Sequence, residues 1–117
     1  MDLDSKLKKK VLAYFNDKNF RECYKMLKNN MDTLLQGEVD NMLIYAFLLS
    51  KFESWDEAIN HLEQHKESDF LNAGMDIYYF LSQLIDWGEL DAARRIFDFK
   101  NIRRYCHYSD SIRDKLL

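Results

Sequence analysis

Shifted against itself by 35 residues, the 117-residue chain lines up three times. The copies are Phe20-Arg-Glu-Cys-Tyr-Lys-Met-Leu27, Trp55-Asp-Glu-Ala-Ile-Asn-His-Leu62 and Leu90-Asp-Ala-Ala-Arg-Arg-Ile-Phe97. Each opens on a large apolar residue, then places a small one at Cys23, Ala58 or Ala93 and another large one at Leu27, Leu62 or Phe97. A second register runs upstream through Leu7/Met42/Ile77, Val11/Ala46/Leu81 and Tyr14/Leu49/Leu84. Apolar residues spaced three and four apart share one face of a helix, and two such patterns per period describe a helix-turn-helix repeat. One helix pair cannot bury its apolar face alone, so neighbouring pairs must stack. The expected work of such a stack is binding along its face, not catalysis.

The spacing predicts an all-α chain, a right-handed α-α superhelix of three helix-turn-helix repeats at about 4–38, 39–73 and 74–108, closed by a capping helix at 109–117. Helices are expected at about 4–16 and 19–29, 39–52 and 55–66, 72–86 and 89–98, with a further stretch at 101–108. Asp4 or Ser5 would start the first, and residues 30–38 would form a connector ending in Gly37. Ser54 and Glu57 have the spacing of a capping box. There is no proline to break a helix, and 47% apolar content is ample for one core. Advancing the register once more brings Ile112 and Leu116 onto core positions, so the tail reads as a cap over the last exposed face.

These aligned residues resemble tetratricopeptide repeats. That family places a small residue near the start of its second helix, as at Cys23, Ala58 and Ala93, and a bulky one four on, as at Leu27, Leu62 and Phe97. Ala46 matches its small residue in the first helix, where Val11 and Leu81 depart from the pattern, and its repeat-closing proline is absent. The resemblance implies a concave groove lined by the first helix of each pair. Its residues would be Leu12 and Phe15, then Leu43, Phe47 and Lys51, then Tyr78, Ser82 and Asp86. It also implies a partner that is another protein or peptide, helical and partly apolar. Short bacterial type III secretion chaperones are of this build. The clamp by which some members hold an acidic peptide terminus needs Asn where Leu12, Phe47 and Ser82 stand. Pentatricopeptide repeats share the period, but their base-reading positions would fall on Lys8, Leu43 and Tyr78, which do not match that code.

Charge is segregated. Residues 1–30 carry eight Lys/Arg against four Asp/Glu, residues 31–90 two against twelve, and residues 91–117 seven against four. One reading is solvated helix faces; the other is a basic partner for the acidic middle, or end-to-end association. An acidic surface at Asp40, Glu53, Asp56 and Glu57 would suit an immunity- or antitoxin-like inhibitor of a basic toxin, the alternative to a binding module or small chaperone. A structural assembly subunit, or a homodimer burying the same groove, is the third reading.

The acidic middle would repel phosphate, so no nucleic-acid partner is expected. His61 and His65 stand four apart beside Glu57, but the order His-Leu-Glu-Gln-His is not the zinc-protease motif, and no metal, cofactor or enzymatic activity is expected. The longest apolar run, Met42–Leu49, is too short to span a bilayer, and Cys23 and Cys106 form no paired framework. The expected location is the cytoplasm, away from membranes.

Overall fold

The computed structural model describes residues 3–36 and 38–117. Its helices are α1 (Leu3–Asn16), α2 (Phe20–Asn29), α3 (Met31–Leu34), α4 (Val39–Phe52), α5 (Trp55–Glu63), α6 (Glu67–Phe70), α7 (Gly74–Asp86), α8 (Leu90–Phe97), α9 (Lys100–Tyr105) and α10 (Ser109–Leu116). No strand occurs among the described residues. Gly37, expected to close the first connector, lies outside them.

The sequence period is also a backbone period. Helices begin at Phe20, Trp55 and Leu90, and again at Val39, Gly74 and Ser109, 35 residues apart in each series. Their opening hydrogen bonds keep the same interval: the amides of Cys23, Ala58 and Ala93 donate to the carbonyls of Asn19, Ser54 and Glu89. The amides of Met42, Ile77 and Ile112 likewise donate to Glu38, Ala73 and Tyr108. The last helix, α10, thus opens on the same type of bond, at the same interval, as α4 and α7.

The turns explain how two helices fold back on each other. After α1, Asn19 donates to Tyr14 at 2.8 Å and Lys18 to Phe15 at 3.0 Å; after α7, Glu89 donates to Leu84 at 2.9 Å and Gly88 to Ile85 at 3.0 Å. This pair of bonds satisfies carbonyls left open at a helix end and requires a left-handed residue between them. Lys18 (φ 59°) and Gly88 (φ 79°) supply it. A side chain in that conformation costs about 1–2 kcal/mol, which glycine avoids. Between α4 and α5 the turn differs: Glu53 has φ −122°, and the Ser54 hydroxyl accepts from the Glu57 amide at 3.1 Å, so this half of the expected capping box is present.

Packing follows from residue size. Cys23, Ala58 and Ala93 are wholly buried, and their small side chains let paired helices approach closely. α4 is the hub, buried without interruption from Asn41 to Leu49 and packed against α2, α5, α7 and α8. Two short helices, α3 and α6, were not expected from the sequence. The segments after α2 and α5 are single-turn helices, and α3, α6 and α9 each send an anchor into the core: Leu34, Phe70 and Ile102. α5 also stops at Glu63 rather than near residue 66. α10 covers α7 and α8 and buries Ile112 and Leu116. Gly74 is required where α7 meets the turn before α10, because a Cβ there would lie 2.5 Å from the Tyr105 carbonyl oxygen. The radius of gyration, 13.3 Å, equals the roughly 13 Å of a closed globule of this length.

Part of the charge segregation is internal. Lys8 pairs with Glu38 at 2.6 Å, Lys28 with Glu53 at 3.8 Å and Arg104 with Glu67 at 2.9 Å, so both basic ends fold onto the acidic middle. Each exposed pair contributes only about 0–1 kcal/mol. Of the acidic candidates for meeting a partner, Glu53 is neutralised in this way.

Candidate functional site

The first helices of the three pairs, α1, α4 and α7, enclose a surface cavity of about 230 Å³. Phe15, Ile44 and Phe80 line it, with Phe15 and Phe80 stacked at 5.9 Å. Leu12, Asn16, Tyr79 and Gln83 also border the opening, and Asp40 and Asp76 complete the lining. Leu12 is 42% exposed and Tyr79 63% exposed, so two large side chains meet water at its rim. Ile44 and Tyr79 occupy the same register position in successive repeats.

Electrostatics distinguish this cavity from an apolar crevice. Burial, then the neighbouring carboxylates of Asp76 and Glu38, hold the Asp40 carboxyl above the usual carboxylate range. Glu38 has Lys8 as partner, whereas Asp40 and Asp76 form no salt bridge among the described residues. Two carboxylates that form no salt bridge among the described residues border an opening lined by aromatic rings.

The expected groove residues divide. Leu12 and Phe15 line the cavity, with Asp40 from the expected acidic surface. Leu43 and Phe47 do not: both are completely buried, and Phe47 packs against the rings of Phe15 at 6.1 Å and Phe20 at 5.3 Å. The physical reason is that α4 is covered on every side, so these side chains have no open face. Lys51 instead lies 5.0 Å from the Phe47 ring and pairs with Glu89 at 2.9 Å, closing the aromatic cluster at the helix turns. Tyr78 is half-buried against Tyr108 near α10, with ring centres 5.3 Å apart. Ser82 is half-buried with its hydroxyl unpaired, and Asp86 is exposed. The residues missed are Asn16, Ile44, Asp76, Tyr79, Phe80 and Gln83. On α7, Tyr79 and Gln83 stand one position beyond the expected Tyr78 and Ser82.

The remaining acidic candidates lie apart from this cavity. Glu53 accepts from the Tyr24 hydroxyl and pairs with Lys28, while Asp56 and Glu57 are exposed in the first turn of α5. His61 donates through Nε2 to the Met42 carbonyl at 2.9 Å and packs edge-on against Tyr45 and His65. Burial pushes its pKa down to about 4, so the ring is neutral near pH 7. No group of three His, Cys, Asp or Glu residues is placed to hold a metal among the described residues. Burial raises the Cys23 thiol to about 12 and that of Cys106 to about 11, leaving little reactive thiolate at neutral pH. Among the described residues no helix is long and apolar enough to cross a membrane. No protein-family model, curated protein or solved structure matches this chain.

Proposed function

We propose that this chain is a non-enzymatic protein-binding module with tetratricopeptide-like, right-handed stacking of its helix pairs. It seats an amphipathic helical segment of a partner protein along the cavity between α1, α4 and α7. The apolar side of the segment covers Leu12 and Tyr79, and a lysine or arginine on it meets Asp40 and Asp76. The observation that carries this reading is the combination of two exposed large side chains and two carboxylates that form no salt bridge among the described residues, around one ring-lined opening. Covering each of those side chains contributes roughly 1 kcal/mol at about 25 cal/mol per Å². The carboxylates then select a basic segment over a neutral one. A small chaperone would use the same contacts to shelter the segment.

The acidic-inhibitor reading draws less support, because Glu53 is already engaged and the other acids are scattered. Selection of displayed helical peptides against the chain tests the proposal. Peptides with an apolar stripe and a basic residue are the expected outcome, with binding lost in Leu12→Ser/Tyr79→Ser. Selected peptides that bind this double variant equally well would overturn it.

A further inference from the structure

The stack ends in a second cavity of different chemistry. It has a volume of about 250 Å³, an apolar floor of Phe97 and Leu116, and arginines from three helices: Arg94 of α8, Arg103 of α9 and Arg113 of α10. The 35-residue register accounts for it. Between the second and third repeats, the positions equivalent to Arg94 and Arg113 are Ile59 and Tyr78, which pack against the core. Where α8 meets α10, arginine replaces both, and the cavity lies at that junction.

The guanidinium groups are only partly engaged. Arg94 donates from Nε to the Leu116 carbonyl at 2.8 Å, which fixes its position at the edge of α10. Arg113 bonds Asp110 at 2.8 Å, and Arg103 reaches Asp98 only at 3.9 Å. Each guanidinium offers five N–H donors, so most remain for water or a ligand. Ser109 and Leu117 complete the lining, and among the described residues the only side-chain carboxylate that borders the cavity itself, Asp98, reaches Arg103 at no closer than 3.9 Å.

We infer that this cavity binds a carboxylate carried on an apolar group, whether a free amphiphilic acid or the terminal carboxylate of a chain ending in an apolar residue. The carboxylate accepts from Arg103 and Arg113 in the forked geometry that guanidinium favours, and the apolar group covers Phe97 and Leu116. A polar cap needed only for solubility would scatter its charges over the end of the stack and bind none of these molecules saturably.

The test is titration of the complete chain, followed by calorimetry and amide NMR, with octanoate, N-acetyl-leucine, acetate and octylamine. Saturable binding of octanoate or N-acetyl-leucine is expected, with shifts centred on α8–α10, whichever is tighter identifying free acid or chain end. Acetate should bind at least about tenfold more weakly because it cannot cover the floor. Arg103→Gln and Arg113→Gln, both at exposed positions, should each weaken binding about tenfold, the worth of one charge-assisted hydrogen bond. Arg113→Lys should recover only part of that loss. Failure of both acids to saturate, equal binding of octylamine, or full affinity in an Arg103→Gln/Arg113→Gln variant of unchanged circular dichroism would each overturn the inference.

Discussion

The two cavities are of similar volume, about 230 and 250 Å³, yet they arise in opposite ways. The acidic, ring-lined cavity is made by corresponding helices of successive repeats, α1, α4 and α7. The arginine cavity is made by dissimilar helices, α8, α9 and α10, where the repetition stops. The first cavity takes one residue from each of two equivalent positions, Ile44 and Tyr79, and otherwise draws on different positions of its three helices. The proposed occupants differ accordingly, a cation on an apolar segment for one and an anion on an apolar group for the other.

The sharpest way to break this comparison is through the residues that were expected in a groove but lie in the core. Phe47→Ala should cost about 3–5 kcal/mol in chemical denaturation, as for other large buried aromatics. A loss under 1 kcal/mol would mean that Phe47 faces an open groove after all. Next is acid. The folded-state pKa of His61 is lowered to about 4, below its unfolded value, so the unfolded chain binds more protons as pH falls. Stability from this group is complete above about pH 7 and is lost between about 6.5 and 4, by roughly 3 kcal/mol. His61→Gln should flatten that part of the stability-against-pH curve. An unchanged slope would show that the ring is accessible to protons in the folded chain.

Charge effects are smaller and separate the two cavities directly. Asp40→Asn should weaken a basic helical peptide about tenfold at low salt while leaving octanoate binding unchanged. The same change should leave stability equal or slightly higher, because a desolvated carboxylate among like charges is removed. Lost peptide affinity together with lost stability would instead make Asp40 a structural residue. Binding of the basic peptide should also decline on acidification at a higher pH than an ordinary aspartate would give, since the raised Asp40 carboxyl protonates early. The smallest expected effect is on stability in Leu12→Ser, within about 0.5 kcal/mol for an exposed site, despite a several-fold loss of peptide affinity.

How much of this was legible follows from where the sequence is amphipathic. Helix starts at Phe20, Trp55 and Leu90 were readable because a small residue and a large one recur at fixed offsets after each. α3 and α6 were not, since a single turn is too short to show a helical period; Leu34 and Phe70 looked like stray apolar residues in connectors. The candidate site failed for a related reason. Met42–Leu49 of α4 is apolar on all sides, so its sequence gives no polar stripe to single out Ile44 as the residue beneath the cavity. The early polar residue of α4, Asn41, is itself buried, bonding the Leu34 carbonyl at 2.8 Å. With no internal reference, the face assigned by resemblance fell on Leu43 and Phe47. Arg94, Arg103 and Arg113 were visible only as part of a basic segment, because their convergence depends on the path of the chain through α9.

The ion pairs that tie the basic ends to the acidic middle carry a consequence for folding. Lys8–Glu38, Lys28–Glu53 and Arg104–Glu67 each join residues that stand close to one period or less apart, and none of the three connects the two ends of the chain. Loops of that length close at little entropic cost, and topologies dominated by near neighbours fold quickly. There is also no proline to impose a slow isomerisation. Refolding followed by Trp55 and Trp87 fluorescence should therefore finish within milliseconds in a single phase, whereas a component lasting seconds would point to ordering between distant repeats. On a ribosome, the same wiring lets each helix pair settle against the one before it, long before the arginines at the far end have been made.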